Sequence, residues 1–205
     1  MHKGLLIVIS GPSGVGKGVI CRCLLNQRPE LKVSVSATTR AMREGETEGV
    51  NYFFKSKDEF KRMIADNAFL EYTEIFGSHY YGTPHAYVQE QQCLGNDVIL
   101  EIDVQGAMSV KKRCPDAVFI FIAPPSMSTL RCRLVGRGTE SPEAVQRRFD
   151  TAFKEMKWIG EYDYIVVNDV LEDAVKQIDS IVTAEKLRVQ RNEILIQRLQ
   201  EGEML

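Results

Sequence analysis

The sequence predicts an α/β fold in which a parallel sheet carries helices on both faces. Three observations lead there. Five short apolar runs, at 5–9, 33–37 (the weakest), 98–102, 117–122 and 164–167, are β-branched and nearly continuous rather than alternating. Strands buried on both faces have that pattern. Helical patterns separate the runs, as in βα repeats. The first run also passes straight into a glycine-rich loop, SGPSGVGKG, that opens a helix.

The opening, MHKGLLIVIS, has a basic residue and a short apolar run but no small-residue cleavage site, so a strand is expected there and not a signal peptide. A helix follows from Gly16. After the second strand the rhythm breaks. Residues 37–92 hold NYFFKS, a short helix capped by Ser56-Lys57-Asp58-Glu59 with Phe60, Met63 and Ile64, and the strand-like FLEYTEIF. A small α+β insert is expected. Ser126 precedes a helix with Leu130 and Leu134 four apart, and Ser141-Pro142 is an N-cap followed by proline at the first helical position. The arginine-rich stretch 126–157 is expected to be a second, helical insert. The remainder, 1–36, 93–125 and 158–205, forms the core of one domain spanning 1–205. A last helical pattern over 171–199 places Leu171, Val175, Ile178 and Val182 on one stripe. Ile194, Leu195 and Leu199 beyond it are a candidate contact with another subunit.

The chain has 205 residues, 44% of them hydrophobic and 26% charged, with a net charge of −2. This is an ordinary globular balance, with no global attraction to nucleic acid or membrane. No apolar run approaches the ~20 residues of a membrane span, and a cytoplasmic location is expected. The five cysteines are odd in number and scattered. Cys21 and Cys23, two apart on a helix, point away from each other, so reduced thiols are expected rather than a metal site or disulfide. His2, His79 and His85 carry no pattern and are expected at the surface. Trp158 is expected in the core or at an interface.

Gly11-Pro12-Ser13-Gly14-Val15-Gly16-Lys17 matches G-x-x-x-x-G-K between a strand and a helix, the context in which backbone N–H groups and a lysine cradle nucleotide phosphates. The hydroxyl that usually follows the lysine and touches Mg²⁺ is absent: position 18 is glycine. Mg²⁺ keeps several waters and leans on substrate phosphates, so it is expected to bind here mainly through phosphates and water. The insert adds Arg40 and Arg43, whose forks suit phosphate oxygens, with Tyr52, Tyr80 and Tyr81 beyond them. Glu71, inside an apolar strand, needs a partner. It is a carboxylate acceptor of the kind that guanine, with two N–H donors on one edge, would satisfy.

Over residues 4–190 the chain resembles the guanylate kinase family, in ISGPSGVGKG, SVSATTR, REGE, NYFF, DEF, FLEY, YYGT, IDVQG, FIAPPS, LVGRGTE and IVVND. The resemblance implies a P-loop core with a nucleoside-monophosphate-binding insert (37–92) and a mobile lid (126–157). The implied reaction is ATP + GMP ⇌ ADP + GDP with Mg²⁺, in purine metabolism and GMP recycling, by a monomer or homo-oligomer.

Carried over by motif, Gly11, Pro12, Ser13, Gly14, Val15, Gly16, Lys17 and Gly18 would hold ATP, with Asn168 near the adenine. Ser36 and Thr83 would hold guanine O6, and Glu71 and Asp103 would accept from N1 and N2. A helix-capping role competes for Asp103. Arg40, Arg43, Tyr52 and Tyr81 would bind the GMP phosphate. Arg133, Arg137 and Arg148 would act with Lys17 on the transferring phosphoryl group.

Three positions depart from the family's pattern: Gly18 lacks the hydroxyl, Glu101 stands where aspartate is usual, and GSHYYG is one residue longer than GNYYG. Other nucleoside monophosphate kinases would lack the acidic guanine-reading pair. Scaffold domains of the same resemblance bind phosphoproteins and tend to have degraded phosphate loops, whereas this chain keeps Lys17 and its lid arginines.

Overall fold

The computed structural model describes residues 3–75, 79–136 and 141–202. With strands and helices numbered in chain order, β1 (Leu6–Ser10) is the middle strand of a five-stranded parallel sheet. On one side it pairs with β7 (Val98–Glu101), and β2 (Lys32–Val33) lies beyond. On the other it pairs with β8 (Val118–Ala123), followed by β9 (Tyr164–Val167).

The continuous apolar runs have a direct physical cause. Ile7 and Ile9 enter one hydrophobic cluster while their neighbours Leu6 and Val8 enter another on the opposite face. The first cluster is completed by α1 (Lys17–Gln27) and α7 (Leu171–Lys186), which supply Ile20, Leu24, Val175, Ile178 and Val182. The second uses α3 (His85–Cys93) and α4 (Val104–Arg113) through Val88, Ala107 and Val110. The two edge strands depart: Ile165 and Val167 of β9 are exposed, as are both residues of β2.

The weak second run serves two sheets. Lys32–Val33 pairs with β7, whereas Ala37 and Thr38 form β3 of a separate four-stranded sheet. That sheet has the order β4-β3-β6-β5, with β4 at Phe53–Phe54, β5 at Phe69–Ile75 and β6 at His79–Pro84. The helix α2 (Lys57–Ala65) covers it, closed at its N-terminus by a full capping box between Ser56 and Glu59. Its Phe60 stacks on Phe69, ring centroids 4.4 Å apart. Leu70, the next residue of β5, instead packs in the core cluster with Ala107 and Val110, which ties the second sheet to α4.

The pairs α5 (Met127–Val135) and α6 (Pro142–Glu155) start at the expected caps, Ser126 and Ser141. The last helical pattern does not run through to 199. α7 ends at Lys186, and α8 (Glu193–Glu201) begins after a short 3₁₀ turn. Buried Glu185 explains the break: it accepts from Tyr164 Oη at 2.6 Å and pairs with Arg188 and Arg191. A residue six positions on cannot return to Glu185 along a continuing helix. Trp158, expected inside or at an interface, is 41% exposed in the single chain. All five cysteines are free. Among the described residues no helix is long and apolar enough to cross a membrane.

Gly11 is where the core meets the loop. Its φ is +142°, and a Cβ there would lie 2.3 Å from the Ile122 carbonyl oxygen of β8. Gly45, at φ +82°, faces open space. Gly45→Ala should therefore cost only backbone strain, about 1–2 kcal/mol. Gly11→Ala adds a clash with strand backbone and should cost more than ~3 kcal/mol. Chemical denaturation of both variants checks this; equal losses would contradict it.

Candidate active site

The loop after β1 wraps over the N-terminus of α1, whose N-cap, Gly16, is left-handed at φ +100°. No side chain caps this helix, so its first amides are left facing the loop. Lys17 folds back on the loop: Nζ donates to the Gly11 carbonyl at 2.5 Å and the Pro12 carbonyl at 3.2 Å. Burial pushes its ammonium pKa down, while Glu155, Glu101 and Asp103 act in the opposite direction. Burial raises the pKa of the Glu155 carboxyl in turn, against the pull of Lys17.

Two arginines, one on α5 and one on α6, reach the loop. Arg148 Nη2 donates to Ser13 Oγ at 2.5 Å, and Arg133 Nη1 lies 3.5 Å from the Val15 carbonyl oxygen. Arg137 lies outside the described residues, as do Gly77 and Ser78 of the lengthened GSHYYG. Asn168, at the end of β9 and 7% exposed, donates from Nδ2 to the same Val15 carbonyl at 2.7 Å. It braces the back of the loop; a Cβ on Gly16 would meet that nitrogen at 2.6 Å.

Ser36, Tyr52 and Thr83 line a cavity of about 180 Å³ between the two sheets, together with Ser34, Asn51 and Glu101. Thr83 Oγ1 donates to Glu71 Oε1 at 2.6 Å across the β5–β6 pair. Glu71 is 8% exposed, a depth at which carboxylates are rare, and this bond gives it one of the partners such burial demands. Burial raises its pKa, with Asp103 adding repulsion and Thr83 opposing both. Asp103 does cap α4, its Oδ1 accepting from the Gly106 amide at 2.7 Å. A Cβ on Gly106 would touch both Asp103 Oδ1 and Glu71 Oε2 at 3.3 Å, so the two carboxylates share one neighbourhood.

Arg40 is the best-defined cation of the insert. It grips Glu46 with both arms, at 2.7 and 2.9 Å, and its guanidinium lies 5.3 Å from the centre of the Tyr52 ring. The Tyr81 ring meets that of Tyr52 edge to face, centroids 6.0 Å apart, which brings it to the same group. The Arg40 bond and the Arg43 backbone amide hold the Glu46 carboxyl down at about 2. Arg40, Tyr52 and Tyr81 therefore converge, whereas the Arg43 side chain is exposed and only its backbone amide joins the group. Tyr80 turns the other way and stacks on Phe60.

Glu46 ends the REGE stretch that carries the resemblance, but a motif in a loop does not say which side chain it holds, and Glu155 is one acid on a charged helix with no signal of its own. Among the described residues no group of three or more His, Cys, Asp or Glu side chains could hold a metal ion alone.

The guanylate kinase family model matches residues 3–185. A guanylate kinase of Caldanaerobacter subterraneus subsp. tengcongensis is 53% identical over 97% of this chain and 96% of its own length. One of Desulfitobacterium hafniense is 53% identical over 96% of this chain and 98% of its own. The crystal structure of guanylate kinase from Anaplasma phagocytophilum superposes with a TM-score of 0.73 at 31% identity, covering 96% of this chain and 95% of that one.

Buried Glu71 generates a prediction for the free protein. Its folded pKa is raised above the unfolded value, so its contribution to stability is fullest below the unfolded pKa and falls as pH rises through the folded one. Glu71→Gln removes that loss. The variant should melt at a higher temperature than the wild type at pH 8, with the gap closing near pH 4. A variant that melts lower at pH 8 would contradict the desolvated carboxylate.

Proposed function

The chain belongs to the guanylate kinase family, and we infer that it transfers the terminal phosphoryl group of ATP to GMP, giving ADP and GDP. The observation that carries the assignment of its residues is the placing of two differently built half-sites at one end of the core. One is a phosphate loop with Lys17; the other is a cavity holding a buried carboxylate and an arginine flanked by tyrosines.

In this reading the helix amides and Lys17 hold the ATP phosphates. Binding draws Nζ from the Gly11 and Pro12 carbonyls onto phosphate oxygens, a stronger, charge-assisted partnership. Asn168 fixes the loop from behind and reaches the adenine only through the loop it supports. Arg133 and Arg148, already on the loop, and Arg137 complete the cation set around the phosphoryl group as the lid closes.

At the other half-site Glu71 accepts from guanine N–H groups, while Ser36 and Thr83 face O6. Asp103 uses one oxygen as a helix cap and keeps the other for the base. Arg40, Tyr52 and Tyr81 bind the GMP phosphate. Glu46 holds the guanidinium in place beforehand, so little side-chain entropy is lost on binding.

Phosphoryl transfer asks for positioning and charge neutralisation more than covalent chemistry. The chain fits a nucleotide-borne Mg²⁺, because Glu101 offers oxygen donors beside Gly18, where a side chain is missing. When bound, that ion neutralises phosphate charge and orients the phosphates. The substrates are thus two nucleotides. The cytoplasmic setting and the monomeric or oligomeric state expected above belong to the same proposal.

A coupled assay of ADP release with ATP, Mg²⁺ and each of GMP, AMP, UMP and CMP tests the function directly. Strong preference for GMP is expected; no turnover with GMP would refute it. Lys17→Ala should lower kcat about 10²- to 10³-fold while calorimetric GMP affinity stays near normal. An equal loss of GMP affinity would contradict the division between half-sites. Glu71→Gln places an NH₂ donor opposite a guanine donor, costing about 1–3 kcal/mol, or roughly ten- to a hundredfold in GMP affinity. Its KM for ATP should be unchanged. Unaltered GMP/AMP selectivity would make Glu71 structural.

A further inference from the structure

Two departures noted separately in the sequence meet at one point. A Cβ built on Gly18 would lie 3.2 Å from Glu101 Oε1 and 3.5 Å from Oε2. The space in which a serine or threonine side chain would stand is thus already bordered by a carboxylate. The hydroxyl was lost at position 18, and the acid on the neighbouring strand is one methylene longer than the family's usual aspartate. We propose that the Glu101 carboxylate replaces the missing hydroxyl and ligates the divalent cation carried by ATP directly. This rests on the function proposed above and goes beyond the expectation of a cation held only by phosphates and water.

The fold delivers Glu101 to that place. It is the last residue of β7 and pairs in register with Ile9, two residues before the phosphate loop opens at Gly11. It also lines the cavity shared by Ser36, Tyr52 and Thr83, so its side chain stands between acceptor cavity and donor loop. Among the described residues its oxygens accept no hydrogen bond and join no ion pair, so they are free to ligate. Carboxylate oxygen is a hard donor suited to Mg²⁺. Among the described residues no three His, Cys, Asp or Glu side chains are placed to hold a metal ion by themselves, so the ion needs nucleotide phosphates to complete its shell.

Replacing a neutral hydroxyl by an anion has a thermodynamic consequence. Without a cation, Glu101 repels the nucleotide phosphates; with one, it joins them to it. ATP affinity should therefore depend on the cation more steeply through Glu101 than through any neutral group.

The test is calorimetric titration with the non-hydrolysable analogue adenylyl imidodiphosphate, in excess Mg²⁺ and in EDTA, on the full chain. In the wild type Mg²⁺ should tighten binding. Glu101→Gln should cut that gain by about tenfold or more, with affinity in EDTA equal or higher. The double variant Gly18→Ser/Glu101→Gln supplies the hydroxyl in the vacated space and should regain part of the Mg²⁺ dependence. Thermal melting monitors folding, which the exposed Glu101 should not affect. A Glu101→Gln protein that keeps the full Mg²⁺ gain overturns the proposal. So does one whose affinity rises equally in both arms, since Glu101 would then only balance Lys17. A wild type that binds no analogue in either arm would overturn the nucleotide site itself.

Discussion

The pairing of β1 between β7 and β8 is the constraint on which the rest of the molecule depends. All neighbouring strands run parallel, so every chain segment that matters leaves the sheet at the same end. The phosphate loop leaves β1, Glu101 ends β7 with Asp103 two residues on, α5 and α6 follow β8, and Asn168 follows β9. The loop itself is seated by contact with strand backbone: the Ile122 carbonyl excludes any side chain at Gly11. A shift of one strand by one residue would send its core side chains to the wrong face and move its contribution to the site.

A second constraint is electrostatic. Cations sufficient for two polyanions must coexist in the free protein without driving it apart. Three of the described ones have an interim partner. Lys17 donates to loop carbonyls and sits among Glu155, Glu101 and Asp103; Arg40 is clasped by Glu46; Arg148 donates to Ser13. Burial disfavours both Lys17 and Glu71 in their charged forms, so neither group is at rest until a partner arrives. Strain of this kind is characteristic of sites whose ligand completes them.

Much of the fold was legible because burial writes itself into composition. Strands covered on both faces have nowhere to put polar residues, and the caps Ser56, Ser126 and Ser141 are local chemistry that works regardless of tertiary context. The phosphate loop was legible for the same reason. What failed were features set by distant partners. The run 33–37 divides between two sheets because Ala37 pairs with Gly82. The last helix stops because Glu185 calls back Arg191. In the site, the sequence names residue types but not which of them touch. Glu46 before Arg40, Asn168 behind the loop and Glu101 beside Gly18 are all distances, and no spacing encodes them.

The central claim is that two facing half-sites on one chain read different nucleotides. Calorimetry with the two pentaphosphates, one bearing adenosine and guanosine at its ends and the other bearing two adenosines, tests it most directly. Both carry the same phosphate chain, so their difference isolates the base-reading half-site. The mixed compound should bind about ten- to a hundredfold more tightly, with that advantage lost on Glu71→Gln. Equal affinity for the two compounds would contradict the account.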